Sequence, residues 1–156
     1  MKLTIEEHIS FWNDRFTVRD EAGDDRFRVE GEKFSFGRKL HVYDLEDREV
    51  AYVEQQIWTL LPRYEVYLGE QHIGDVVREF SLFRPHYYVE GAEWDVRGDF
   101  GAHDYAVYDG ETTVATISKE WFTWGDCYTL DIADPQNELG VLALVLAIDC
   151  AMEESN

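Results

Sequence analysis

The chain has 156 residues, with 33 Asp and Glu against 14 Lys and Arg, a formal net charge of −19 and a pI near 4.4. That balance excludes general nucleic-acid binding, which rests on Lys and Arg replacing counterions along phosphates, and electrostatic adhesion to an anionic membrane. Apolar residues make up 45% and aromatics 15%, enough for a single core in a single domain spanning 1–156 and too much for a disordered chain.

After the N-terminal segment, short β-rich runs alternate with turn signals. Phe16–Asp20 alternates apolar and polar and runs into the turn cluster Glu21–Asp25; Phe27–Glu30 alternates and stops at Gly31; Leu40–Asp44 ends at the acidic Glu46-Asp47. Val50–Val53, Tyr64–Leu68, Ile73–Phe80 and Tyr87–Val89 follow, then Trp94–Val96, Tyr105–Tyr108, Val114–Ile117 and Tyr128–Ile132. With the N-terminal segment this makes about a dozen strands, the spacing of an all-β barrel or sandwich. The period of two gives each strand one face in a core and one in water.

A strand–bend–strand unit recurs. Val50-Ala51-Tyr52-Val53 is matched 64 residues on by Val114-Ala115-Thr116-Ile117, and Tyr64 by Tyr128; at an offset of 23, Tyr64 meets Tyr87 and Val66 meets Val89. One hairpin unit used three times in one closed or nearly closed sheet accounts for this.

The last segment differs. Asp134-Pro135 is a helix start, since Asp caps and Pro at the first helical position forfeits no hydrogen bond. Leu139–Ile148 then runs for ten residues without a polar side chain, until Asp149 interrupts. A membrane span takes about 20 apolar residues, so no transmembrane segment is expected. A helix apolar on every side must be surrounded by protein, and a barrel wider than eight strands can hold one. The predicted fold is mainly β: a closed antiparallel barrel of about twelve strands around a hydrophobic C-terminal helix.

Met1–Glu7 has no apolar leader, Lys2 stands where myristoylation needs Gly, and Glu154-Ser155-Asn156 has no prenylation Cys; the expected address is cytoplasmic. Cys127 and Cys150 are too few for a disulfide scaffold and sit among apolar neighbours, as buried free thiols do.

Several segments resemble the LURP-one-related family. They are Phe34-Ser35-Phe36-Gly37-Arg38-Lys39-Leu40-His41-Val42-Tyr43-Asp44, Gly98-Asp99-Phe100 with His103-Asp104-Tyr105, Ile117–Asp126 and the tail from Tyr128 to Cys150. The similarity covers essentially the whole chain. It implies a twelve-stranded antiparallel barrel around a C-terminal helix, similar to the tubby C-terminal domain and the phospholipid scramblases. Tubby domains bind phosphoinositides through a basic patch, and scramblase-like proteins carry palmitoylated cysteines and are calcium-linked. This sequence has no Cys cluster, and its basic cluster is Arg38-Lys39 alone.

Catalytic motifs are missing: no Gly-x-Ser-x-Gly, His-Glu-x-x-His, Cys-x-x-Cys or phosphate-cradling glycine loop occurs. His103-Asp104 is the most suggestive pair for acid–base work, but strand neighbours point to opposite faces, so a turn and a strand entry are expected. Asp149 is expected at the barrel mouth, solvated or paired with a base. Trp121, Phe122 and Trp124 are expected to pack, and Asp24-Asp25 and Glu46-Asp47 to be solvated turns without calcium-loop spacing. The candidate binding residues are Arg38 and Lys39, toward a lipid headgroup or a protein partner; no catalytic residue, metal or cofactor is expected. The functional expectation is a non-catalytic binding or regulatory module. The alternative is a phospholipid- or phosphoinositide-associated, scramblase-like protein.

The charge carries its own prediction. With only four Lys against 33 acidic residues, the chain suits a high-salt cytosol, where screening relieves self-repulsion. The melting temperature is expected to rise steeply between low and molar KCl; a flat response counts against this reading.

Overall fold

The structure is a computed structural model and describes residues 1–8, 15–32, 36–122 and 125–154. Among them are twelve strands: β1 (Lys2–His8), β2 (Arg15–Arg19), β3 (Asp25–Glu32), β4 (Lys39–Tyr43), β5 (Glu49–Gln56), β6 (Arg63–Leu68), β7 (Gln71–Glu79), β8 (His86–Glu90), β9 (Trp94–Asp99), β10 (Asp104–Asp109), β11 (Thr112–Phe122) and β12 (Gly125–Ile132). A 3₁₀ turn at Pro135–Asn137 leads into α1 (Glu138–Glu154). As expected, Asp134 caps this start, its carboxylate accepting from the Gln136 N–H at 3.0 Å with Pro135 following.

Each strand pairs antiparallel with its neighbours in one sheet of order β8-β7-β6-β5-β4-β3-β2-β1-β12-β11-β10-β9. The first strand meets the last: Lys2 to Glu6 register against Asp131 to Cys127. The sheet ends are β8 and β9, consecutive strands joined by residues 91–93 that show no register with each other. The barrel is therefore nearly closed rather than closed. Beside this seam lies an open depression of about 410 Å³, lined by Ile73, Gly91, Trp94 and Gly140 among others.

Alternation fills the interior. Leu3 and Ile5, Phe16 and Val18, Leu40 and Val42, Ala51 and Val53, and their equivalents around the sheet are buried, while the residues between them face outward. The three hairpins expected from the repeats are β5–β6, β7–β8 and β11–β12. Their shared tyrosines, Tyr64, Tyr87 and Tyr128, are all buried.

Residues 140–152 of α1 are buried without interruption, more than three helical turns. The helix thus has no wet face and lies within the barrel, mainly against β5, β6 and β7. The segment Pro135–Glu153 is long and apolar enough, by length and composition, to cross a membrane. Its apolarity is met by the barrel wall. Gly140 lets the wall come close, since a Cβ there would stand 3.1 Å from the Trp94 ring.

Strand direction sorts the connections onto two ends. Those after even-numbered strands share an end with the start of α1 and carry ten Asp and Glu against Arg48. Those after odd-numbered strands share the end where α1 stops. Among the described residues these connections carry Arg38 and Arg84 and no Asp or Glu, and α1 brings Glu153 to the same end.

If the helix is the core, truncating it is costly. Leu146→Ala is expected to lose about 2–5 kcal/mol in urea unfolding, whereas Leu45→Ala, on an exposed tip, should change stability by less than about 0.5 kcal/mol.

Candidate functional site

The end of the barrel where α1 stops is built from three neighbouring hairpin tips above a polar cluster. The described tip residues are 36–38, 57–62 and 80–85, between β3 and β4, β5 and β6, and β7 and β8. Turns normally carry polar residues, but here Phe36, Ile57, Trp58, Leu60, Phe80, Leu82 and Phe83 are all exposed. Trp58 is 88% exposed, Leu60 100% and Phe83 93%. Two tips touch, the Phe36 and Trp58 rings lying 6.5 Å apart. Gly37 makes this contact available: its φ is 89°, and a Cβ there would stand 2.8 Å from the Ile57 side chain.

The candidate residues read from the sequence distribute over this end and its flank. Arg38 sits at the base of the first tip, its N–H donating to Gln55 Oε1 at 2.9 Å and its guanidinium ion-paired with Glu153 in the last turn of α1. Lys39 opens β4 on the outer wall, 4.0 Å from Glu54 and in register with Glu32 on the other side. The two neighbours therefore do different work: Arg38 ties a loop to the helix end, and Lys39 belongs to the wall.

Asp149 is not solvated at the mouth. It is 6% exposed and accepts a hydrogen bond from the Tyr128 hydroxyl. Burial and the neighbouring Glu153 push its pKa up to about 6, against the Tyr128 bond and the charges of Lys119 and Arg38. Burial, with Asp149 nearby, also holds the Tyr105 hydroxyl well above its usual range. The Tyr64 hydroxyl reaches the Cys150 carbonyl at 3.4 Å. Two of the three repeated tyrosines thus secure the last turns of α1.

His103 and Asp104 take the turn and strand entry expected of them. His103 has φ 55°, donates its N–H to Phe100 O at 3.0 Å and sets its ring edge-on to Tyr128. Asp104 is exposed and opens β10 opposite Asp99. Asp25 and Asp47 pair with Arg19 and Arg28. Of the Trp121, Phe122 and Trp124 cluster, the side chains lie outside the described residues.

The outer wall carries a feature that residue-by-residue reading missed. His41, Tyr52, Tyr67 and His72 form a row across β4 to β7, with ring centroids 4.9, 5.9 and 5.1 Å apart. His41 lies between Glu49 and Glu32, the latter at 2.7 Å. Partial burial opposes its charging, but the two carboxylates outweigh this and raise its pKa. The Tyr52 hydroxyl is pushed up to about 12 by burial and nearby acids, and that of Tyr67 to about 12 chiefly by its bond to Glu65. His41, Tyr52 and Tyr67 line an open depression of about 560 Å³.

Comparison with known proteins bears on this arrangement. The LURP-one-related family model matches residues 1–149. The uncharacterized protein YxjI of Bacillus subtilis strain 168 is 29% identical over 152 residues, which cover 97% of this chain and 94% of that protein. An Arabidopsis thaliana protein of known X-ray structure superposes with a TM-score of 0.61 at 18% identity, over 95% of this chain and 90% of the other. At that identity the likeness shows the fold alone.

Asp149 supplies a pH test. Its folded pKa, about 6, lies above the usual value near 3.9, so the folded state holds the proton more tightly. Stability then falls as pH rises from about 4 through about 6, by roughly 2–3 kcal/mol at neutral pH. Asp149→Asn keeps an acceptor for Tyr128 and removes the charge. It should be more stable than the parent at pH 7.5, with the difference closing by pH 4.5, as read by urea midpoints. A less stable variant at pH 7.5 would mean that Lys119 and Arg38 hold the ionised carboxylate.

Proposed function

This chain belongs to the LURP-one-related family, and we propose that it is a non-catalytic binding module whose binding surface is the loop end of the barrel. The observation that carries the reading is the set of exposed Phe, Trp, Ile and Leu side chains on three adjacent tips. Single exposed apolar residues are ordinary, but several gathered at one end mark an interaction site. Loops on a rigid scaffold are also where binding residues concentrate.

Two further observations support it. The barrel interior, where other barrels keep a small ligand, is taken up by α1. The polar groups at the end of α1 are engaged with one another: Asp149 with Tyr128, Arg38 with Glu153. We assign Arg38 to the base of the binding surface, where its pairing with Glu153 holds the first tip in place. Lys39, beside Glu54 and facing Glu32, is poorly placed to add to a headgroup pocket. An apolar ligand surface is therefore favoured over a soluble anionic headgroup.

The reading is tested on the fold itself. Side chains kept for binding contribute little to folding, so Trp58→Ser with Phe83→Ser should unfold within about 0.5 kcal/mol per site of the parent. The double variant should also lose native-state fluorescence of an apolar dye. A loss of more than about 2 kcal/mol would make these side chains part of the packing and overturn the assignment.

A further inference from the structure

We propose that the loop end docks on a lipid bilayer by inserting its apolar tips into the interface of zwitterionic lipid, with the acidic end of the barrel facing away. The inference rests on the loop end being the binding surface and names its occupant. Three features of the molecule select a bilayer.

The first is shape. The apolar side chains sit at hairpin tips on neighbouring strands β3 to β8, and Trp58, Leu60 and Phe83 are almost wholly exposed. Tips gathered side by side at one end suit a soft, planar apolar phase. The second is residue type. Trp and Phe favour the headgroup boundary, where an amphipathic or polarizable ring is accommodated. Leu60 and Leu82 are suited to the acyl region just beneath.

The third is the placement of charge. The described tip residues 36–38, 57–62 and 80–85 contain Arg38 and Arg84 and no Asp or Glu, within a chain of net charge −19, and Glu153 beside them is paired with Arg38. Arg84, exposed beside Phe83, lies at the level where lipid phosphates would stand. The connections at the far end hold ten acids and one Arg. Of the two ends, the loop end presents the fewer acids to a lipid surface.

This mode makes a prediction opposite to headgroup electrostatics. Binding through phosphates or phosphoinositides weakens with salt, whereas apolar insertion by an acidic protein persists or strengthens as the repulsion is screened. The experiment is flotation with phosphatidylcholine vesicles in 0.1 M and 1 M KCl. It compares the parent chain, Trp58→Ser with Phe83→Ser, Leu60→Ser with Leu82→Ser, and Leu45→Ser at the acidic end as control.

The expected result is parent chain floating at both salts, at least as much at 1 M, with Leu45→Ser unchanged. Each tip double variant should lose vesicle binding about tenfold or more while keeping the parent's unfolding transition. No flotation of the parent at either salt overturns the inference. So does binding that requires anionic lipid and vanishes at 1 M KCl. A concentration-dependent dimer abolished by the tip variants, with no flotation, also overturns it, because a second copy then covers the tips. In each of these cases stable tip variants leave the loop end as a binding surface. Tip variants that unfold early while the parent fails to float remove both readings.

Discussion

An α-helix with no polar side chain for ten residues can exist in water only if protein encloses it on every side, and that requirement shapes the rest of this molecule. One sheet face leaves half of such a helix wet. Eight strands leave room only for side chains. Twelve strands coiled nearly into a ring satisfy the helix and are in turn filled by it: Leu142, Leu146 and Ile148 take the place of the interior side chains that a smaller barrel would use. The close points of this fit are visible where small or long side chains were needed. Gly140 lies against Trp94, and Tyr64 and Tyr128 reach the last turns of α1 with their hydroxyls.

The enclosed helix leaves only the outside for function, and the outside is polarised. The wall is knitted by cross-strand charge pairs such as Arg19 with Glu6 and Asp25, and Arg63 with Asp75 and Glu90. Exposed pairs of this kind each contribute little, and 14 cations cannot neutralise 33 acids. About half of the acid surplus lies in the connections at the end where α1 begins, ten acids against one Arg. Most of the exposed apolar residues of the described connections lie at the end where it stops. The antiparallel meander makes this separation simple, because every second connection returns to the same end.

Most of the fold was legible because its signals are local. Alternation marked the strands, Asp134-Pro135 marked the helix start, and the repeated tyrosines marked three hairpins. The seam between β8 and β9 was not legible, since pairing across a barrel is a matter of register that no local pattern records. Asp149 was expected at the barrel mouth, solvated or paired with a base, because it lies near the helix end; it is buried instead, and Tyr128, distant in sequence, supplies its partner. The apolar tips had a signal that went unused. Ile57-Trp58-Thr59-Leu60-Leu61 and Phe80-Ser81-Leu82-Phe83 break the strand period where polar turn residues belong. Arg38 and Lys39 looked like one basic pair in sequence, but adjacent residues at a strand entry part company, one to the helix end and one to the wall.

The pairing of β1 with β12 has a consequence for how the molecule comes into being. The first strand finds its second neighbour only when the last one arrives, and the interior stays unfilled until α1 follows it. During synthesis β2 to β8 can pair in order as a curling sheet, with a long apolar inner face still wet and β1 a bare edge. The chain thus commits to its native state at its final thirty or so residues, and contacts this distant in sequence make for slow closure. Until then the exposed inner face and the bare edge are a hazard for aggregation, and the heavy negative charge that marks the finished protein also keeps its unfinished copies apart.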